Sequence, residues 1–181
     1  MILYLDVDGV LIPGPDDQGD PPPTHDIHHV TPTGYDKPIK VWLNPHHGPQ
    51  LAALVADTGL TPVWCTSWRQ DASRLIAPCL GLPDWPHVSL PRLPLTTSHP
   101  NGYLWKRDHL IQHAAGAPFV WIDDDFTSAD HEWAAARVAG GQPTLLVQPQ
   151  HRVGIQPQDL WTVRTWVSTH RSDGWRQQAE H

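Results

Sequence analysis

The chain reads as an α/β protein with a doubly wound, mainly parallel sheet, and three observations lead there. Short apolar runs of strand-forming residues stand at Ile2–Leu5, Thr61–Trp64, Phe119–Ile122 and Thr144–Val147. Stretches with helical apolar spacing separate them, the pattern of a parallel sheet covered on both faces. Three of the runs end in polar residues, and open α/β sheets place their ligands outside the C-terminal ends of the strands.

The first run leads straight into Asp6-Val7-Asp8-Gly9-Val10. Successive strand residues face opposite sides, but the run ends at Asp6, so both carboxylates can sit at its C-terminal edge. Two acids so close repel, and a Mg²⁺ ion or a proton must offset one of them. Gly9 permits a sharp turn that brings backbone N–H groups toward an anion. Residues Ile12 to Pro38 are rich in Pro, Gly, Asp and His and read as loop beside that edge. Ile39–Leu43 alternates like a short strand. Asn44-Pro45 is expected to cap and open a helix with Leu51, Leu54 and Val55 inward, ended by Gly59.

Thr61–Trp64 leads into Cys65-Thr66-Ser67-Trp68, and the spacing of Ala72, Leu75, Ile76 and Cys79 predicts a helix over Gln70–Leu80. Prolines break Gly81 to Pro100, with a short strand expected near His87–Leu90. Tyr103–Ala115 reads as a helix carrying Lys106. Phe119–Ile122 runs directly into Asp123-Asp124-Asp125, one of which is expected to cap a helix over Ser128–Val138. That helix ends at Gly140-Gly141. After Thr144–Val147, a helix over Gln156–Thr169 turns Leu160, Val163 and Val167 inward. The polar tail, residues 171–181, is expected to fray, leaving 1–170 as one domain.

Composition narrows the function classes. The 181 residues suffice for one domain with a substantial core, and 10 tryptophans argue against disorder. A net charge of −7 disfavours broad binding to polyanions, while a local basic patch stays possible. Cys65 and Cys79 lack metal-site or disulfide spacing and read as buried free thiols of a reducing compartment. The N-terminus lacks signal-peptide features, and no apolar run is long enough for a bilayer. The expectation is a soluble cytoplasmic protein without membrane contact.

The three polar strand ends are Asp6/Asp8, Thr66/Ser67 and Asp123/Asp124/Asp125, and Lys106 can reach the same crevice from its helix. Carboxylates, a hydroxyl and an ammonium suit Mg²⁺ together with a phosphoryl group. The acids hold metal, the hydroxyl and amine hold phosphate oxygens, and one carboxylate is left to attack.

Asp6-Val7-Asp8-Gly9-Val10, Thr66 after Val63-Trp64-Cys65, Lys106, and Ile122-Asp123-Asp124 resemble motifs I to IV of the haloacid dehalogenase (HAD) superfamily. The resemblance spans Ile2 to about Leu146. The Thr-Ser-Trp, Trp-Ile-Asp-Asp-Asp and Trp133-Ala134 patterns are most similar to the HAD domain associated with bacterial RNA-repair proteins. The resemblance implies a Rossmannoid three-layer fold. Neither inter-motif interval looks like a full cap domain, so residues 13–38 become a Pro-rich flap. An open site of that kind favours a large substrate, such as a nucleic-acid end.

By the same resemblance Asp6 is the nucleophile of an aspartyl-phosphate mechanism, and Asp8 is the acid and base that also offers its carbonyl to Mg²⁺. Thr66 and the Ser67 N–H would hold the phosphoryl group beside Gly9, and Lys106 would neutralise charge. Asp124, with Asp123, would complete the metal site. The implied activity is a Mg²⁺-dependent phosphatase acting on a phosphorylated substrate, such as a nucleotide or an RNA or DNA end. Phosphoryl transfer needs positioning and charge neutralisation above all. The competing reading is a phospho-accepting signalling or binding module without turnover. The order of the acidic strand ends favours the hydrolase.

Other residues carry weaker signals. Trp68 and Trp42 are candidates to stack on a base, and Arg69, Arg74, Arg92 and Arg107 are candidates for a local phosphate-binding patch. His25, His28, His29, His46 and His47 resemble a transition-metal cluster but lack an established ligand spacing. Solvent exposure or substrate contact is the simpler account of them.

Overall fold

In a computed structural model, residues 1–92 and 101–178 are described, with side chains described as far as residue 170. Four strands, β1 (Ile2–Leu5), β4 (Thr61–Trp64), β5 (Phe119–Ile122) and β6 (Thr144–Val147), form one parallel sheet in the order β4-β1-β5-β6. Leu5 lies level with Trp64 and Ile122, and Ile122 with Val147. The C-terminal ends are therefore flush, which puts the residues just beyond them side by side.

Alternation along these strands sorts the core into two layers. Leu3, Leu5, Trp64, Val120 and Ile122 face α1 (His47–Thr58) and α5 (Pro157–Gln178), packing on Leu51, Leu54, Leu160 and Val163. Tyr4, Val63, Cys65, Phe119 and Trp121 face the other way, toward Leu110 of α3 (Arg107–Ala114) and Trp133 of α4 (Ser128–Ala139). Both faces are covered, so the strands read as near-continuous apolar runs. The result is the three-layer α/β arrangement expected, consistent with a HAD-like Rossmannoid fold.

The stretch expected to be loop, Ile12–Pro38, contains a strand. β2 (Asp26–Val30) pairs antiparallel with β3 (Ile39–Leu43) in a separate two-stranded sheet. Only Val30 of β2 is buried, so no apolar alternation marks it. The pairing partner makes it a strand. This hairpin stands where a flap was expected.

Several boundaries differ from the expected ones. α1 begins at His47 with Pro45 outside it, because the Asn44 side chain accepts the His46 N–H at 3.0 Å and makes a separate turn. Gly59 ends it in the left-handed conformation, as expected. The helix after Trp68 contains a π-helical turn, Ala72–Ile76, before α2 (Ala77–Cys79). Pro78 supplies no N–H, and the Ala77 N–H reaches five residues back to the Ala72 carbonyl.

The segment after Pro86 makes one bridge, His87 to Trp64, and forms no strand over His87–Leu90. Residues 93–100 of the Pro-broken stretch lie outside the described residues. α3 starts one residue after Lys106, which is its N-cap. α5 runs to Gln178, well past Thr169, and residues 179–181 of the tail lie outside the described residues. No helix among the described residues is long and apolar enough to cross a membrane.

Of the five histidines singled out, the structure joins two. The rings of His25 and His47 meet edge-on at 5.7 Å between centroids. His25 Nε2 and His47 Nδ1 are buried without hydrogen-bond partners. No group of three metal-ligating side chains forms there among the described residues. Burial, then the charge of His25, pushes the His47 pKa down to about 4, against the opposing Ile155 backbone and with a smaller push from His46. The fold thus keeps His47 neutral where the unfolded chain takes up a proton below about pH 6.5. Stability is expected to fall as pH drops from about 6.5 toward about 4, because the unfolded state then binds more protons. Urea midpoints across that range should show a flatter slope in His47→Asn than in the parent protein.

Candidate active site

The ladder continues one residue past each strand and pins the functional groups. The Asp6 N–H donates to the Ile122 carbonyl at 3.0 Å, the Asp123 N–H to Val147 at 3.2 Å, and the Cys65 N–H to Leu5 at 2.9 Å. Asp6, Thr66 and Asp123 therefore leave neighbouring strand ends together, and all three are buried.

Lys106 enters between the acids. Its ammonium donates to Asp6 Oδ2 at 2.5 Å and to Asp123 Oδ2 at 2.8 Å. Burial alone would lower its pKa, but Asp123 and Asp6 outweigh burial and hold it above the usual lysine range. Burial raises the Asp123 carboxyl, and the nearby Asp6 charge adds to that against the pull of Lys106.

Asp8 turns away from this cluster. Its carboxylate accepts the Trp68 indole N–H at 3.0 and 3.1 Å and the Ser67 hydroxyl at 3.2 Å. Although the residue opens to the cavity, desolvation by the surrounding protein first, and then Asp6, raise its pKa, so a proton resides there more readily than on an ordinary aspartate. The chain after it turns tightly: the Leu11 and Ile12 N–H groups both return to the Val7 carbonyl, at 2.8 and 2.9 Å. Gly9 takes a φ of 69° in that turn, and a Cβ there would overlap the Asp124 carboxylate. Glycine is what lets Asp124 approach the first strand's acids.

Asp6, Asp123 and Asp124 each offer a carboxylate oxygen within 4.8 Å of the others. Asp6 Oδ1 is buried with no hydrogen-bond partner. An all-oxygen donor set with an orphaned, buried carboxylate oxygen fits a hard divalent cation. The Asp8 carboxylate is not part of that group among the described residues. None of the three consecutive aspartates caps α4. Thr127 does so with Asp130, whose Oδ2 accepts the Thr127 N–H at 3.0 Å and its hydroxyl at 2.9 Å. Asp123 instead accepts the Asp125 N–H at 3.2 Å.

A cavity of about 570 Å³ opens over the acids. Asp6, Asp8, Lys106 and Asp124 line its depth, Ser67, Trp68 and Arg69 its second-motif side, and Thr33 and Tyr35 of the hairpin connection its roof. Thr66 lies beneath that lining, fully buried, its hydroxyl accepting the Trp68 N–H at 3.3 Å and keeping its own proton to donate. Gly9 and Asp123 also stand behind the lining. Trp42 is elsewhere: its indole donates to the Pro13 carbonyl at 2.8 Å. The expected arginine patch divides. Arg69 and Arg92 line the cavity, whereas Arg74 pairs with Asp71 and Arg107 with Asp130.

Two contributors had no sequence signal. His151, after β6, donates from Nδ1 to Asp124 Oδ2 at 2.7 Å, and its carbonyl accepts the Gly14 N–H at 2.8 Å. Asp71 latches the hairpin connection: its carboxylate accepts the Thr33 N–H at 2.6 Å, the Thr33 hydroxyl at 3.0 Å and Arg74 Nε at 2.9 Å. Burial works against the Asp71 charge, but Thr33 and Arg74 outweigh it and hold the carboxyl below the usual range. Asp71→Ala is expected to cost about 1–3 kcal/mol, the cost of losing hydrogen bonds to a charged acceptor. Faster hydrogen exchange at the Thr33 amide should accompany that loss, since Asp71 is the group that accepts that N–H.

Acids after two adjacent parallel strands, a buried lysine bridging them and a hydroxyl residue at the third strand end define a haloacid dehalogenase-type domain. Such domains are in general phosphatase-type hydrolases. The chain belongs to the family described as the HAD domain in Swiss Army Knife RNA repair proteins, whose model matches residues 2–160. No curated protein and no solved structure matches it.

Proposed function

We propose that the protein is a Mg²⁺-dependent phosphomonoester hydrolase working through an aspartyl-phosphate on Asp6, with a nucleotide or nucleic-acid terminal phosphate as substrate. One observation carries the reading. Asp6 has one oxygen neutralised by Lys106 and the other, Oδ1, buried and unpartnered at the floor of the cavity.

In this reading Asp6 attacks phosphorus while Asp8 protonates the departing oxygen, so that the P–O bond to the alcohol breaks as the bond to Asp6 forms. Asp8, now ionised, takes a proton from water, which attacks the aspartyl-phosphate and releases phosphate and the free Asp6 carboxylate. Ser67 and Trp68 hold the Asp8 carboxyl for both proton transfers. Thr66 and the Ser67 N–H hold phosphoryl oxygens, and Lys106 offsets charge on Asp6 throughout. The Asp6 and Asp124 carboxylates and the Asp8 carbonyl, supported by Asp123, would hold Mg²⁺, which supplies charge neutralisation to the phosphoryl oxygens. The nucleic-acid assignment draws on the family's description and on the aromatic residues Tyr35, Trp68 and Trp105 lining the cavity.

The test is phosphate release from an aryl phosphate and from 3′- and 5′-phosphorylated oligonucleotides, with Mg²⁺ and with chelator. Release that requires Mg²⁺ supports the hydrolase. A folded protein that releases phosphate from none of them sinks it in favour of a phospho-accepting or binding module.

A further inference from the structure

The arginines whose side chains are described fall into two groups. Arg74, Arg107, Arg152 and Arg164 are paired with Asp71, Asp130, Asp17 and Asp57, and Arg137 donates to the Thr144 hydroxyl. Among the described residues, Arg69 and Arg92 have no ion-pair or hydrogen-bond partner for their guanidinium groups, and both line the cavity over Asp6. In a protein of net charge −7, acidic partners are abundant, so two unmatched guanidiniums facing one cavity need an explanation.

Their placement is specific. Arg69 closes the turn that carries Thr66, donating its backbone N–H to the Thr66 carbonyl at 3.0 Å, and it does so at a φ of 51°. That left-handed conformation is strained for a residue other than glycine. The strain falls on a residue whose side chain then borders the cavity. Arg92 comes from a different segment and lies against the hairpin connection, its Nη1 3.4 Å from where a Cβ of Gly34 would stand. That connection is the one Asp71, two residues beyond Arg69, holds through Thr33. Both residues therefore line the cavity, Arg92 against the hairpin connection and Arg69 in the Thr66–Asp71 turn whose Asp71 holds that connection.

We infer that Arg69 and Arg92 form a second anion subsite beside the Asp6 centre, so that the preferred substrate carries a second phosphate next to the phosphomonoester. The inference rests on the phosphomonoesterase reading for the first phosphate. Guanidinium forks match phosphate oxygens in pairs, and two of them around one anion remove their mutual repulsion. A nucleoside bisphosphate and the linking phosphodiester of an oligonucleotide end present the same second group.

Equilibrium binding to the Asp6→Asn protein with Mg²⁺ tests this without turnover. The probes are a nucleoside 3′-monophosphate, the 3′,5′-bisphosphate, and a 3′-phosphorylated dinucleotide. A ligand with the second phosphate should bind at least about tenfold tighter than the monophosphate, the worth of one charge-assisted pair. Adding Arg69→Gln or Arg92→Gln should bring that ratio toward one, while Arg164→Gln, on a distant pair, should leave it in place. Preference for the dinucleotide over the bisphosphate assigns the second phosphate to a nucleic-acid end, and the reverse assigns it to a small bisphosphate. A ratio near one in the parent, a ratio unmoved by both variants, or an equal fall in Arg164→Gln would overturn the subsite. Phosphate release by the wild-type protein from an aryl phosphate is scored separately, so the subsite and the hydrolase reading can fail independently.

Discussion

Asp6→Asn is expected to reduce phosphate release by at least about a thousandfold while leaving the fold intact, because under the proposed mechanism it removes the attacking oxygen's charge and changes almost no volume. The remaining carbonyl of the amide can still accept from Lys106, which also keeps Asp123 at 2.8 Å. Three carboxylates meet within 4.8 Å, so removing one charge relieves repulsion when no cation is present. The unfolding midpoint measured in chelator should therefore stay level or rise. Initial rates on an aryl phosphate, run beside that melt, decide the matter. Persistent release by a folded Asp6→Asn protein would remove Asp6 from the role of nucleophile.

Lys106→Met is expected to destabilise the protein by about 3–5 kcal/mol, the usual consequence of stripping one partner from a buried ion pair. Asp6 and Asp123 would be left as facing buried carboxylates, and Asp123 is fully inaccessible to solvent. For a domain of this size that corresponds to a fall in Tm of roughly 10 °C. Mg²⁺ should recover part of the loss, since a cation among the same oxygens replaces some of the missing positive charge. Thermal unfolding with Mg²⁺ and with chelator measures both effects. A fall under about 1 kcal/mol would show that the acids do not depend on the lysine.

Asp6 is legible in the sequence because its signal is local. Apolar runs of strand length, each stopping at an acid or hydroxyl, specify a parallel sheet and name the residues at its C-terminal edge. The same pattern places Thr66 and Asp123. Lys106 carries no such local mark, and its order among the other motifs is what singles it out. The tail of α5 shows the limit of local pattern: helical backbone runs to Gln178 through a polar stretch without the apolar spacing that marks Gln156–Thr169.

β2 shows where local pattern stops speaking. It is a strand because β3 pairs with it, and of its five residues only Val30 is buried, too little for hydropathy to reflect. His151 meets Asp124 across 27 residues of sequence, and Asp71 holds Thr33 across 38. No motif spacing encodes such contacts, because they depend on how a loop returns to the sheet edge. Four arginines near the second and third motifs look alike in the sequence, and the fold neutralises two of them with Asp71 and Asp130. Which chemistry stands at the strand ends is written in the chain, since strand period and residue order act over a few positions. Which charges find partners, and which stay open to the cavity, is settled by approach in space, and that is a property of the folded molecule.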